Sequence, residues 1–262
     1  LRETNRGSMC DLFGLSCNEK DRATKSLPKF ANQFGTYDTN CDGWGVAYFD
    51  NNVAFVEKAS ERNTQKGESS FAAAENKKFF DAVDEARSTN IIAHVRTASG
   101  ATDVCELNCH PFKYRYHERD WIFAHNGYVM NHNFERDPDA EGSTDSETIF
   151  HKMMRYVDGH MSSGSIRGLY PAIKKAVRQI LNDYPGIKLN FLMSDGNMHY
   201  AFSHYSGKPM YIQRNMKGYG NAVLLSTRVF GGGNWEKIPR DRLLVLNCGE
   251  VIVCSADLWR RD

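Results

Sequence analysis

The sequence predicts an α+β protein in which two mainly antiparallel β-sheets carry helices as cover. About ten short strand-like runs stand against three substantial helical patterns. The helices are bunched between groups of strands instead of alternating with them, which disfavours a doubly wound parallel sheet. No internal repeat, low-complexity tract or linker divides the chain, so one domain is expected over residues 9–262.

Element by element, residues 10–17 carry Leu12, Phe13 and Leu15 in a strand-like run that ends near Asn18. Residues 44–49 and 53–56 are β-rich and flank Asp50-Asn51-Asn52, a hairpin signal. Between Ser69 and Arg87, Phe71, Ala74, Phe79, Val83 and Ala86 recur at helical spacing, with Ser69 or Ser70 as the expected cap. Strands follow over 90–96 and 121–125. A helix over 145–157 places Ile149, Phe150, Met153, Met154 and Val157 on one face, and a helix over 166–184 does the same with Leu169, Ile173, Val177, Ile180 and Leu181. Beyond Gly186 the pattern turns to strands over 187–193, 198–204, 210–213, 223–226, 243–247 and 251–254, the last two joined at Cys248-Gly249-Glu250.

Composition excludes several classes of function. Lys and Arg number 33 against 32 Asp and Glu, a net charge of +1, which gives no general reason to expect nucleic acid or an anionic membrane as partner. No apolar run approaches the roughly 18–20 residues of a spanning helix. Seven cysteines, an odd number without dense spacing, and no apolar signal segment near the start point to free thiols in a reducing cytoplasm. Residues 1–8, Leu-Arg-Glu-Thr-Asn-Arg-Gly-Ser, are polar and aperiodic and read as an expression leader ending in a cloning scar. Met9 is then the expected initiator, and its removal makes Cys10 the first residue.

Polar clusters fall at the predicted strand ends: Met9-Cys10, Asp42-Gly43-Trp44-Gly45, residues 94–100 (His-Val-Arg-Thr-Ala-Ser-Gly), Asn108-Cys109-His110-Pro111-Phe112, Ala124-His125-Asn126-Gly127 and Thr144-Asp145-Ser146-Glu147. Each alone has an ordinary explanation as a turn, a surface charge or a helix cap. In this order and spacing they resemble the glutamine-hydrolysing domain of class II glutamine amidotransferases, which belong to the N-terminal-nucleophile (Ntn) hydrolases. The segments 191–196 (Phe-Leu-Met-Ser-Asp-Gly), 225–227 (Leu-Ser-Thr) and 234–239 (Asn-Trp-Glu-Lys-Ile-Pro) are most similar to the small stand-alone YafJ-like branch. The resemblance covers the chain from Met9 onward and implies a four-layer αββα sandwich.

It also implies roles. Cys10 matches the nucleophile. A free thiol titrates near 8.5 and an α-amine near about 7.7–8.0, so an N-terminal cysteine carries its own matched base. Asn126 and Gly127 match the pair whose side-chain amide and backbone N–H form an oxyanion hole. Arg96 offers a planar fork for the glutamine carboxylate, and Asp145 faces the α-ammonium. Ser99 stands where Thr is common and reaches the carboxylate region. His94 and His110 match histidines of the pocket wall. Thr97 departs from the bulky aromatic found at that slot in some relatives.

No motif asks for a metal, a nucleotide or any other cofactor. Cys105 through His110 lacks the second cysteine pair of a usual zinc site, and Gly231-Gly232-Gly233 lacks the strand-to-helix context of a phosphate cradle. The expected activity is cleavage of a γ-glutamyl amide through a Cys10 thioester. Two enzyme readings stay open: a glutaminase handing ammonia to a separate synthase subunit, or a free-standing amidohydrolase of γ-glutamyl peptides. A third, of another class, is a silent binding or scaffold module.

Overall fold

The computed structural model describes residues 10–36, 39–60, 72–98, 103–116, 118–130, 134–162, 168–214 and 220–259. The expected leader, Met9, Ser99 and the expected caps Ser69 and Ser70 lie outside the described residues. Strands β1 (Asp11–Arg22), β2 (Trp44–Asp50), β3 (Val53–Ala59) and β4 (Arg87–Val95) precede β5 (Phe112–Tyr116) and β6 (Arg119–Tyr128). After the central helices come β7 (Lys188–Ser194), β8 (His199–Ser203), β9 (Tyr211–Arg214) and β10 (Ala222–Ser226). The last are β11 (Trp235–Lys237), β12 (Leu243–Asn247) and β13 (Glu250–Cys254). Helices are α1 (Leu27–Phe34), α2 (Lys77–Glu85), α3 (Asp145–Ser162) and α4 (Leu169–Asp183).

The strands form a seven-stranded sheet, β11-β9-β10-β1-β4-β2-β3, and a six-stranded sheet, β13-β12-β8-β7-β6-β5. Every adjacent pair in both sheets is antiparallel. Three apolar layers separate four structural ones. Phe13, Leu15, Phe30, Phe79 and Val83 pack between the first sheet and α1 and α2. Leu12, Ile92, Ala124, Leu192 and Leu225 lie between the sheets. Phe123, Phe150, Ile173, Ile180 and Phe191 join the second sheet to α3 and α4. Because both faces of the inner strands are buried, runs such as Leu12 to Leu15 and Leu243 to Leu246 are continuous in apolar character.

The predicted fold class and the bunched helices are thus found, with local differences. β1 runs on to Arg22 because its ladder with β4 resumes at Asp21 and Ser88 after an irregularity. α2 is shorter than expected, starting at Lys77, where the Asn76 side chain accepts the Phe79 N–H, 3.4 Å. Asn51 and Asn52 both take positive φ, 48° and 66°, in the left-handed form that tight hairpins favour. Cys248 and Gly249 do the same between β12 and β13. α1, β5 and β11 were not anticipated. Among the described residues no helix is long and apolar enough to cross a membrane.

His199 lies between the sheets, fully buried, where Gly14 leaves room for its ring; a Cβ at Gly14 would sit 3.1 Å from it. Burial pushes the imidazole down to about 3. An unfolded chain binds a proton near 6.5 that the folded imidazole refuses, so stability is full above 6.5 and falls as pH drops toward 3. His199→Leu is expected to flatten this acid limb by up to about 1.4 kcal/mol per pH unit. Urea unfolding of both proteins at a series of pH values measures the difference.

Candidate active site

The pairing of Asp11 with Val95 at the head of the β1–β4 ladder sets Cys10 beside the chain that leaves β4. There the Cys10 thiol donates to the Thr97 carbonyl at 3.2 Å and accepts the Thr97 N–H at 3.3 Å. The strand end is tied to the start of β2: Arg96 N–H donates to Gly43 O (2.8 Å), Asp42 N–H to Arg96 O (3.0 Å), and Ala98 N–H to the Asp42 carboxylate (2.8 Å). From the facing sheet, the Asn126 side-chain amide donates to the carbonyl oxygen of Cys10. Gly127 follows, where a Cβ would lie 1.7 Å from Lys188 O, so no larger residue lets β6 and β7 pair at this point.

Burial raises the Cys10 thiol pKa, against the Thr97 hydrogen bond and the positive charges of Lys208 and Arg96, which lower it; Asp11 adds to the rise. Arg96 is 4% exposed. Its Nη2 donates to Asp103 O at 3.1 Å, while Nη1 has no partner among the described residues. His94 and His110 lie beside it with rings 4.4 Å apart and no partner on any ring nitrogen among the described residues. Burial and the Arg96 charge hold both imidazoles well below their ordinary range, so both are neutral at neutral pH.

Asp145 opens α3 without capping it. The Thr144 hydroxyl accepts the Glu147 N–H (3.3 Å), and Asp145 accepts the Val129 N–H (2.8 Å) just past β6. The structure therefore brings Cys10, Arg96, Asn126 and Gly127 to neighbouring strand ends and places Asp145 beside the end of β6. Ser99 lies outside the described residues. Cys109 is buried and donates to Ala59 O and Cys105 O, both at 3.7 Å. Among the described residues no three His, Cys, Asp or Glu side chains are placed to hold a metal ion.

Residues missed in the sequence surround these. Asp11, fully buried, meets Lys208 Nζ at 3.1 Å and Arg228 Nη2 at 2.8 Å. It also accepts from Asn40 Nδ2 (3.0 Å) and Thr227 Oγ1 (2.9 Å). A charge at the head of an otherwise apolar strand was its one visible signal. His125 is also buried; its Nε2 donates to Lys188 O (2.9 Å), which leaves Nδ1 to accept the Ser146 hydroxyl (2.9 Å).

Two facing antiparallel sheets under helical cover, with a cysteine entering the central strand, define an Ntn-hydrolase fold. The chain belongs to the class II glutamine amidotransferases, matching that family over residues 9–230. YafJ of Escherichia coli K12 is 26% identical over 249 residues, 91% of this chain and 89% of YafJ. A Haemophilus influenzae protein is 28% identical over 211 residues, covering 79% of this chain and 66% of that relative. Both relatives are described as putative glutamine amidotransferases. In fold the chain is similar to a Pseudomonas aeruginosa PA01 protein described as a predicted glutamine amidotransferase, with TM-score 0.59, 20% identity, and 93% and 100% of the two chains covered. It is likewise similar to the glutamine phosphoribosylpyrophosphate amidotransferase of Bacillus subtilis, with TM-score 0.60 and 16% identity over 91% of this chain and 47% of that one.

Asp11→Asn removes the buried carboxylate that two half-buried cations share. The expected cost is about 3 kcal/mol of stability, read by denaturant unfolding, because Lys208 and Arg228 are then left facing each other.

Proposed function

We propose that this protein releases ammonia from glutamine through a thioester on Cys10, acting once Cys10 is its first residue. The observation that carries this reading is Cys10 held on both sides, its thiol by the Thr97 backbone and its carbonyl by the Asn126 amide, with Arg96 next to Thr97 in the chain. The family match makes glutamine the expected substrate.

In the proposed reaction the free α-amine of Cys10 takes the thiol proton, and the sulfur attacks the γ-amide carbon. The amide oxygen becomes an oxyanion, held by the Asn126 amide and the Gly127 N–H. Collapse of this intermediate breaks the C–N bond, and the proton on the amine goes to the departing ammonia. Water then attacks the thioester carbon, restores the thiol and releases glutamate. Arg96 binds the substrate α-carboxylate, and its Nη1, which has no partner among the described residues, leaves an N–H edge for that contact. Ser99 supports the same carboxylate, Asp145 faces the α-ammonium, and the neutral His94 and His110 wall the pocket without competing for the anion. The nitrogen acceptor is proposed to be a separate synthase subunit. All seven cysteines are free thiols, in keeping with a reducing cytoplasm.

Residues 1–9 turn the Cys10 nitrogen into a peptide amide, which is no base. A chain beginning at Cys10 is expected to release ammonia at least about 10²–10⁴-fold faster than the 262-residue chain. The assay compares both at equal concentration near neutral pH, with Cys10→Ala as the background and mass spectrometry to verify each terminus. Equal activity of the two forms refutes the amine mechanism.

Arg96→Lys keeps the charge but loses the two-point fork. Steady-state kinetics on the chain beginning at Cys10 are expected to show KM for glutamine raised about tenfold or more, with a smaller change in kcat. An unchanged KM removes Arg96 from the carboxylate site.

A further inference from the structure

Lys208 stands 198 residues from Cys10 in sequence, in the turn after β8, yet its ammonium donates to the Cys10 carbonyl oxygen. The same nitrogen lies 3.1 Å from the Asp11 carboxylate, and the lysine side chain is 13% exposed. The turn that delivers it is clamped from below. Asn190, fully buried on β7 and paired across the ladder with Asn126, donates from Nδ2 to Lys208 O at 2.6 Å. Its Oδ1 accepts the N–H groups of His204 and Tyr205, each at 3.2 Å. Lys208 N–H closes the turn on Tyr205 O at 3.1 Å. A long flexible side chain is thus held at its backbone and at its head.

We propose that Lys208 is a positioning residue for the amidotransferase reaction, fixing the carbonyl of Cys10 against Asp11 and setting a positive charge beside the nucleophile. This rests on Cys10 being the nucleophile of the proposed function. Two donors, Asn126 and Lys208, converge on one carbonyl oxygen and fix the orientation of the peptide plane after Cys10, while Thr97 holds the thiol. The charged groups acting on Cys10 are Lys208, Arg96 and Asp11, with Arg228 bound to Asp11 from the end of β10. His94, which feels both Arg96 and Lys208, is neutral. Lys208 is the largest of the charge effects that lower the Cys10 thiol, ahead of Arg96. A cation at this place favours the thiolate during attack and keeps a neighbouring amine unprotonated.

The test reads the thiol and the turnover separately. On the full chain, iodoacetamide alkylation of Cys10 is followed by peptide mass spectrometry across pH 6 to 11. Lys208→Gln, which keeps an amide donor and loses the charge, is expected to raise the alkylation midpoint by about one pH unit. Lys208→Arg is expected to stay within about 0.3 unit of the parent. A Lys208→Gln profile superimposed on the parent, or a Lys208→Arg midpoint displaced as far as that of Lys208→Gln, overturns the proposal. Should Lys208→Gln fail to fold by circular dichroism, the Lys208→Arg midpoint decides: parent-like supports the role, displaced refutes it.

On the chain beginning at Cys10, Lys208→Gln is expected to lower kcat for glutamine hydrolysis about tenfold or more with KM within twofold, since Lys208 holds Cys10 and not the substrate. A rise in KM with kcat unchanged overturns it. If the parent chain beginning at Cys10 does not turn over glutamine, the proposed function fails while the alkylation profiles still judge Lys208.

Discussion

A carboxylate with no access to water organises this molecule. Asp11 sits at the head of the central strand, and burying it alone would be prohibitive. Its four partners come from three separate parts of the chain: Asn40 before β2, Lys208 after β8, and Thr227 and Arg228 after β10. Thr227 also ties the strand itself, donating its backbone N–H to Leu12 O and accepting the Leu12 N–H on its hydroxyl. The residue next to the candidate nucleophile is therefore the place where loops of both sheets are fastened together. Precision at Cys10 follows from the high cost of leaving Asp11 unpaired, more than from the packing of Cys10 itself.

The second electrostatic feature is the company Arg96 keeps. A guanidinium nearly out of water needs acceptors, yet the described neighbours give it one carbonyl and two imidazoles that burial keeps neutral. Neutral rings lower the local dielectric without cancelling the charge, so an anion entering there meets a field little weakened by competitors. Under the proposed function, a histidine that protonated would repel Arg96, and an acid in its place would occupy the fork. Aromatic, uncharged walls avoid both.

The roles of Cys10, Arg96, Asn126, Gly127 and Asp145 came from the resemblance to the class II glutamine amidotransferases, and their clusters stood out because each lies at the boundary of a strongly patterned element, where polar residues interrupt an apolar period. The two sheets and the grouping of helices were legible for the same reason. α1 escaped because Leu27, Phe30, Ala31 and Phe34 fit a helix over only eight residues. β5 was missed although Lys113 and Arg115 alternate with its inward aromatics, the period of a half-buried strand; at five residues it is short. Lys208, Asn190 and Asp11 are of another kind. A lysine in a Gly-Lys-Pro turn looks like any surface residue, and its meaning depends on a contact 198 positions away that no local pattern encodes.

The middle position of β1 in its sheet bears on how the protein comes into being. One neighbour, β4, is made within the first hundred residues, but the other, β10, ends at Ser226. A nascent chain thus holds an apolar strand with one open edge for most of its synthesis, a hazard for mispairing that long-range sheets share. Lys208 and Arg228 arrive with that late neighbour. Under the proposed function, the surroundings that hold Cys10 are therefore complete only once the ribosome has passed them, together with the finished sheet.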